Sequence, residues 1–396
     1  MALTPRRIAL AILAVALAIR VAWVFATPDY RLVHDAIDYH AHAVSLARGD
    51  GFALAYGRET AFRPPAYPLF VAAVYWLFGP SLEWARLANA LVGTGIVALI
   101  GVICAQVWST RVALIAMALG AVYVPLILVG QSVMSEPLFT LCMLGAIACA
   151  LRRRPVAAGV LLGLAILGRA NALVLLAPLA WAVWRGPRPA LVLVVCAALT
   201  VLPWTIRNYV VLGHVVPVST QLGSALAGTY NSEAMANKAT WMSLKRVDDY
   251  RPIFNRLRET NEAVLEKQLR DASLGYIADH PAAPLKVAFW TTRRMLDLGG
   301  WDWAIHTAGT VSAGRRAGAA GIVCFWAFAL LAVAGACTRA ARAAPRWLWA
   351  VPVLMYLGVV FLVVETPRYR TAIDPFVIML AALALSAVTA KRAQVP

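Results

Sequence analysis

Apolar segments long enough to cross a lipid bilayer dominate this chain. Hydrophobic residues make up 61% of the 396 residues and charged residues only 14%, whereas a soluble domain is about half apolar and a quarter charged. With a mean hydropathy of +0.72, the chain has more apolar side chains than one globular core can bury. The composition therefore predicts an all-α polytopic membrane protein.

A spanning helix needs about 20 mostly apolar residues, and the chain offers about ten such segments. The expected spans are 8–26, 87–107, 112–130, 137–151, 156–168, 172–185, 190–206, 318–336, 346–364 and 372–389. The segment 156–168 is short, but it must span if the charged loops are to alternate between the two faces. The segment 8–26 is long for a cleaved signal sequence, so we expect it to remain as the first helix.

The positive charge indicates the orientation of these helices. The formal net charge is +17, from 36 Lys and Arg against 19 Asp and Glu. In a soluble protein this excess would suggest a nucleic-acid partner, but here most of the arginines lie in short loops on one face of the membrane. The positive-inside rule makes that face cytoplasmic and places both termini there. We therefore expect membrane lipids, and no nucleic acid, around this chain.

The long polar segments then fall on the outer face. We expect the chain to divide into a transmembrane module at 1–206 with a first outer loop at 27–86, an extracytoplasmic cap at 207–316 and C-terminal transmembrane helices at 317–396. The cap contains two amphipathic stretches, 256–279 and 284–298. The apolar segment 66–79 would form a helix only about 21 Å long. Counting it as a span would invert every later loop, so we expect a juxtamembrane or re-entrant helix.

Carboxylates occur in two of the polar motifs of the outer face. Asp35 and Asp38 follow the first span, and Glu136 lies between Ser135 and Pro137. A carboxylate at a membrane surface can act as a general base towards a hydroxyl group. The alternative is structural, because Asp opens helices well and Ser-Glu-Pro is a typical helix start with Ser135 at the N-cap. Both interpretations stay open on residue type alone.

Arginines on this face run against the positive-inside bias. Arg63 precedes paired prolines that fix its backbone, and a planar guanidinium can bind two phosphate oxygens. Snorkelling of Arg63 and Tyr67 to the lipid headgroups is the alternative. Further arginines occur at Arg207, Arg368 and Arg370, with others at Arg20 and Arg169. Several such cations from separate loops favour a site for a phosphorylated lipid.

The order of these motifs resembles that of the integral-membrane glycosyltransferases of the GT-C superfamily. The motifs are the acidic loop after the first helix, Arg-Pro-Pro-x-Tyr-Pro at 63–68, Ser-Glu-Pro-Leu-Phe at 135–139, Gly-Arg-Ala-Asn at 168–171, Pro-Trp-x-x-Arg-Asn at 203–208 and Pro-Arg-Tyr-Arg at 367–370. Within the superfamily, the chain is similar to the bacterial glycosyltransferase family 39, or dolichyl-phosphate-mannose–protein mannosyltransferase-like, group. That group is related to the aminoarabinose transferase that modifies lipid A.

The resemblance implies a GT-C-like helical bundle with outer juxtamembrane helices and a small cap. It also implies transfer of a sugar from a polyprenyl-phosphate donor to an acceptor hydroxyl, on a glycan, lipid or protein, at the extracytoplasmic face of the bacterial cytoplasmic membrane. The catalytic base maps onto Asp35, the second acid onto Glu136 and the proline-paired cation onto Arg63. Many relatives have two adjacent acids where this chain has Asp35 followed by Ala36, so Asp38 stays an alternative base.

The expected donor-phosphate ligands are the residues Arg63, Arg207, Arg368, Arg370, Tyr67 and Tyr369. An inverting transfer is the simplest expectation, because no covalent intermediate is required. Two carboxylates near one phosphate could also hold a divalent metal. The alternatives are a transporter or flippase of an anionic lipid-linked glycan, and a ligase or polymerase that transfers a whole lipid-linked glycan.

Overall fold

Helices form the regular structure of the described residues, which are 4–53, 58–248, 250–256, 260–361 and 366–392 of a computed structural model. Over these ranges the β-structure is limited to one isolated bridge between Ala53 and Glu59. The first ten helices are α1 Pro5–Ala26, α2 Asp35–Arg48, α3 Ala66–Phe78, α4 Leu82–Val107, α5 Thr110–Val122, α6 Val124–Gly130, α7 Glu136–Leu151, α8 Pro155–Gly168, α9 Leu176–Val183 and α10 Pro187–Leu212. The others are α11 Gln221–Thr229, α12 Ser232–Ala236, α13 Arg251–Asn255, α14 Glu262–Asp279, α15 Ala283–Met295, α16 Trp301–Ala308, α17 Arg315–Ala336, α18 Arg339–Ala343, α19 Arg346–Val360 and α20 Asp374–Arg392.

Each of the ten predicted spans coincides with a helix or helix pair. The helices α1, α4, α10 and α17 are long and apolar enough to cross a membrane, and the pair α5–α6 makes a fifth candidate. The other five coincide with shorter apolar helices, which are α7, α8, α9 with the 3₁₀ turn before it, α19 and α20. The prediction of an all-α polytopic membrane protein is confirmed.

The boundaries of several helices differ from the prediction, and 362–364 of the span expected over 346–364 lie outside the described residues. Helix α10 continues past the expected end at 206 to Leu212, so Arg207 lies on the helix and not in the loop after it. The amphipathic helix expected over 256–279 is observed from Glu262, with 257–259 outside the described residues. The predicted juxtamembrane segment forms the thirteen-residue helix α3, whose depth in the membrane stays a prediction.

Small residues bring two of the apolar helices into close contact. Gly159 and Gly163 of α8 are four residues apart and face the backbone of α10. A Cβ atom at Gly159 would lie 2.4 Å from the Leu193 carbonyl oxygen, and one at Gly163 would lie 2.9 Å from that of Ala197. Small residues at this spacing let membrane helices approach closely where the hydrophobic effect does not drive association. Any larger residue at Gly159 would push the two helices apart.

A bend divides the segment predicted as one helix over 112–130. Helices α5 and α6 meet at 58°, just before Pro125, which has no backbone N–H to continue the helix. The last carbonyl groups of α5 therefore lack intrahelical partners. Arg20 of α1, which is 1% exposed, donates to the carbonyl oxygens of Gly120 at 3.3 Å and Ala121 at 3.2 Å. The sequence analysis placed Arg20 among the outer arginines. In the structure, Arg20 stabilises this bend.

We expect Arg20→Met to lower the free energy of unfolding by about 2–4 kcal/mol, because two buried carbonyl groups lose their donor. Thermal unfolding in detergent micelles measures the effect. Arg111→Met is the matched control, since Arg111 is exposed at the start of α5. Equal stability of the two variants would contradict this role of Arg20.

Candidate active site

The first turn of α2 presents two carboxylates on one side of the helix. Asp35 is its first residue and Asp38 follows three positions later, a spacing that places both side chains on one face. His34, at the N-cap position, has a φ of 49°, a left-handed conformation that is unfavourable for residues other than glycine. The side chains of Asp35 and Asp38 are 24% and 31% exposed, so both can be reached from outside the protein.

Arg63 connects these two carboxylates. Its Nη2 atom lies 2.8 Å from Asp35 Oδ1 and 2.7 Å from Asp38 Oδ2, and its Nε donates to Asp38 Oδ2 at 3.0 Å. Its guanidinium also lies over the rings of Tyr39 and Phe62, with centroid distances of 5.4 and 5.0 Å. The side chain is only 6% exposed. The rigid position that the paired prolines predict for Arg63 therefore faces the acidic turn of α2.

Arg368 connects Asp35 to the second acid. It lies in the 3₁₀ helix Pro367–Ala372, and its Nη2 donates to Asp35 Oδ2. Its Nε lies 3.7 Å from Glu136 Oε1, and its Nη2 is 3.2 Å from the hydroxyl oxygen of Tyr369. Although burial opposes ionisation, the guanidinium groups of Arg368 and Arg63 hold the pKa of the Asp35 carboxyl well below its usual range. Asp35 is therefore a carboxylate at any physiological pH.

Glu136 is paired with an arginine from another helix end. Arg169, directly after α8, lies 2.8 Å from Glu136 Oε1 through its Nη1. Ser135 occupies the predicted N-cap position of α7, but its side chain makes no capping hydrogen bond. Its hydroxyl oxygen instead accepts from the Tyr39 hydroxyl at 3.1 Å and lies 3.4 Å from Arg169 Nη1. Glu136 is 3% exposed, much less than the two aspartates.

Three arginines and three carboxylates thus alternate at one end of the bundle. This ion-pair cluster consists of Asp38, Arg63, Asp35, Arg368, Glu136 and Arg169. Its members come from stretches that are far apart in the chain, so folding must bring them together. Buried ionic groups are tolerated only when they are paired, and here each charge has at least one partner. The two aspartates form the accessible edge of the cluster.

Two predicted phosphate ligands have partners elsewhere. Arg207 of α10 lies 3.1 Å from Glu59 Oε1 and donates to the carbonyl oxygen of Thr60 at 2.7 Å. Arg370 is buried between Asp297 at 3.1 Å and Asp374 at 3.0 Å. The structure therefore places Arg207 and Arg370 outside the ion-pair cluster.

The two predicted tyrosines also differ from each other. Tyr67 is fully buried, and its hydroxyl oxygen accepts from Asn89 Nδ2 at 2.8 Å. Tyr369 lies beside the cluster, with its ring under the guanidinium groups of Arg169 at 4.8 Å and Arg368 at 4.9 Å. From the sequence, Arg169 was counted among the outer cations but not among the phosphate ligands, and Tyr39 was not considered. Glu365, next to the Pro-Arg-Tyr-Arg motif, lies outside the described residues.

The residues of this site offer few ligands to a metal ion. Among the described residues, three or more His, Cys, Asp or Glu side chains nowhere come together in a metal-binding arrangement. Asp35 and Asp38 could supply two oxygens, but both already accept from Arg63. His214 is hydrogen-bonded through Nδ1 to the carbonyl oxygen of Leu212 at 2.9 Å. A divalent metal would therefore have to displace the guanidinium of Arg63.

A cavity of about 60 Å³ opens on another side of Arg368. Its polar wall carries Arg368, Arg370, Asp297 and Asp374. Small and aliphatic side chains of α6, α16 and α17 form the remaining wall. Arg368 is thus shared between the ion-pair cluster and an amphipathic cavity, which places apolar and charged surfaces side by side.

The fold is similar to that of a solved oligosaccharyltransferase. The archaeal oligosaccharyltransferase AglB from Archaeoglobus fulgidus, solved with an inhibitory peptide and a dolichol-phosphate, matches 97% of this chain with a TM-score of 0.55 and 14% sequence identity. This chain spans half the length of AglB. ArnT from Cupriavidus metallidurans, solved with undecaprenyl phosphate, gives a TM-score of 0.40 and 17% identity over 95% of this chain and 78% of its own. By sequence, the chain matches no family model and no curated protein.

The likeness to AglB confirms the fold that the motifs implied. The chain shares the helical fold of this oligosaccharyltransferase. At this low identity the likeness concerns the fold, and the activity has to be argued from the site.

We expect Arg169→Met to lower the free energy of unfolding by about 3–5 kcal/mol, because it leaves the Glu136 carboxylate buried without its main partner. The double variant Arg169→Met/Glu136→Gln should recover much of this loss, with a coupling of about 2 kcal/mol. Denaturant unfolding of the four proteins of this double-mutant cycle measures the coupling.

The exposed pair Lys267–Asp271, at 2.5 Å on α14, is the control for that cycle. Its coupling should be small, because solvent screens both charges. Strictly additive effects of the Arg169 and Glu136 substitutions would show that the buried pair does not hold the cluster together.

Proposed function

We propose that this protein is a membrane glycosyltransferase that moves a sugar from a polyprenyl-phosphate donor to an acceptor hydroxyl group. The observation that carries the proposal is the accessible carboxylate of Asp35, held between the guanidinium groups of Arg63 and Arg368. A base and two phosphate-binding cations lie together there, at one end of an apolar helical bundle. The fold adds support, because AglB, which shares it, is an oligosaccharyltransferase solved with a dolichol-phosphate.

The proposed reaction breaks the bond between the anomeric carbon and the phosphate oxygen of the donor. A new bond forms between the same carbon and the acceptor oxygen, and the acceptor proton passes to Asp35. The lipid phosphate leaves with increasing negative charge on its oxygens, which Arg63 and Arg368 stabilise. One displacement of this kind inverts the configuration at the anomeric carbon. The extracytoplasmic face of a bacterial cytoplasmic membrane is the proposed location, and cell-envelope glycans are the proposed products.

The ion pairs couple donor binding to the strength of the base. A carboxylate held by two arginines is a weak proton acceptor, because both cations stabilise its charged form. A donor phosphate that binds Arg63 and Arg368 draws them away from Asp35, and its own negative charge raises the proton affinity of the carboxylate. Asp35 therefore becomes a stronger base when the donor is in place.

The ion pairs of the two aspartates favour Asp35 over Asp38 as the base. Asp35 contacts both Arg63 and Arg368, so it lies between the two proposed phosphate ligands. Asp38 is paired with Arg63 alone and lies at the edge of the cluster. We assign Asp38 to the alignment of Arg63, and Glu136 to the alignment of Arg368 and Arg169.

We expect Asp35→Asn to lower the turnover of a polyprenyl-phosphate sugar by about 10²–10⁴-fold, because an amide cannot accept the acceptor proton. Transfer of a radiolabelled sugar by purified protein in detergent measures it. Asp29→Asn is the matched control, since Asp29 is an exposed acid before the same helix. Normal turnover by Asp35→Asn together with loss in Asp38→Asn would move the base to Asp38.

The same preparation separates the competing functions. Transport of a lipid-linked glycan across proteoliposomes without sugar transfer would indicate a flippase. Transfer of a long glycan but not of a single sugar would indicate a ligase or polymerase.

We expect the pH dependence of kcat to differ from that of kcat/KM. The lowered pKa of Asp35 in the free protein keeps the carboxylate ionised down to below about pH 4, so kcat/KM for the donor should show no loss from its protonation above about pH 5. Bound phosphate raises the pKa of Asp35, so the acid limb of kcat should lie at a higher pH. Initial rates measured from about pH 4, near the usual pKa of an Asp carboxyl, to about pH 8 test this. Coincident acid limbs would contradict the coupling.

A further inference from the structure

The segment that leads into Arg63 is attached to the cap through one carboxylate. Glu262, the first residue of α14, accepts from the backbone N–H of Ala61 at 3.0 Å through its Oε1. Its Oε2 accepts from the hydroxyl of Thr60. The hydroxyl of Thr220, before α11, donates to Oε1 at 2.5 Å. One side chain thus connects two parts of the cap to the residues just before Arg63.

The backbone of Thr60 and Ala61 has no unused hydrogen-bonding group. Thr60 N–H donates to the Phe52 carbonyl oxygen at 3.1 Å, and the Thr60 carbonyl oxygen accepts from Arg207 at 2.7 Å. The Ala61 N–H donates to Glu262, and the Ala61 carbonyl oxygen accepts from Thr220 N–H at 3.0 Å. Thr60 is 3% exposed and Ala61 is 0% exposed. These partners come from α10, the cap and the first outer loop, so the position of the segment depends on all three.

We propose that Glu262 is a positioning residue for Arg63, and through Arg63 for Asp35 and Asp38. The proposal rests on the proposed function, in which Arg63 binds the donor phosphate. Between Ala61 and Pro64 only Phe62 and Arg63 remain, and the paired prolines restrict the backbone beyond them. A shift at Ala61 therefore moves the backbone of Arg63, from which its guanidinium reaches Asp35 and Asp38. Displacements of about 1 Å in a binding group can cost a hundredfold in rate.

Two substitutions at Glu262 separate its geometry from its charge. Glu262→Gln keeps the length of the side chain, and Gln Oε1 can still accept from Ala61 N–H, while the Thr60 hydroxyl can accept from the new amide. Glu262→Asp keeps the charge and suits the start of a helix, but its side chain is one methylene shorter. If Glu262 positions Arg63, Gln should replace it and Asp should not. If Glu262 acts only as a helix cap or only through its charge, Asp should replace it and Gln should not.

The first readout is the steady-state kinetics with the polyprenyl-phosphate sugar. We expect Glu262→Asp to raise KM for the donor by about tenfold with a smaller change in kcat, and Glu262→Gln to stay within about threefold of the unsubstituted protein. Partial unfolding would lower the apparent kcat and leave KM unchanged, so the division between KM and kcat identifies positioning. Arg63→Ala gives the size of the effect when the cation itself is lost.

The second readout does not depend on activity. Hydrogen exchange in a peptide that covers 58–63 reports on the amides of Thr60 and Ala61. We expect faster exchange there in Glu262→Asp and unchanged protection in Glu262→Gln. Glu266→Gln is the matched control, because Glu266 is also a carboxylate of α14 but pairs with Arg270 at 3.0 Å.

The two readouts distinguish failure of the inference from failure of the proposed function. Unchanged donor KM and unchanged exchange in Glu262→Asp, in a protein that transfers sugar, would overturn the role of Glu262. A loss in Glu262→Gln as large as in Glu262→Asp would also overturn it, because charge would then decide. If the unsubstituted protein transfers no sugar, the proposed function fails. Faster exchange only in Glu262→Asp would then support the attachment of the segment alone.

Discussion

The alternation of three guanidinium groups with three carboxylates holds one end of this bundle together. Each ion pair joins segments that are distant in sequence, so the apolar helices below can pack only in arrangements that let these charges meet. An unpaired buried charge costs several kcal/mol. Any other packing of the helix ends that separates these pairs therefore has a higher free energy. The cluster therefore selects one arrangement of helices whose apolar surfaces alone would accept several.

The sequence could predict the helices because length and composition determine them almost locally. A run of about 20 apolar residues is stable in lipid only as a helix, since no water is present to bind its backbone. The bend between α5 and α6 was not predicted, although Pro125 signals it. Its stability depends on Arg20, which lies about a hundred residues earlier in the chain. A contact of that range has no local signature in one sequence.

The site was predicted only in part for a related reason. The residues Asp35, Asp38, Glu136, Arg63 and Arg368 come together in the structure, the three acids from the first turns of α2 and α7 and the two arginines from the segments before α3 and before α20. Arg370 shares every local property of Arg368, yet it faces Asp297 and Asp374. A 3₁₀ helix has three residues per turn, so side chains two positions apart point in different directions. Charge and position along the chain could not show which arginine faces Asp35.

In the proposed reaction, the zero net charge of the ion-pair cluster determines how a donor phosphate can bind. The cluster has equal numbers of positive and negative groups, so no guanidinium is free. The phosphate can bind an arginine only if a carboxylate loses that arginine as its ion-pair partner. Asp35 and Asp38 both lose their contact with Arg63 in this step, and Asp38 loses least, because it is the most exposed of the three carboxylates and pairs with Arg63 alone. Water can solvate it once Arg63 turns to the phosphate. Glu136 is buried and has no such compensation, so Arg169 must stay with it. Donor binding therefore rearranges the accessible edge of the cluster while the buried pair keeps the helices in place.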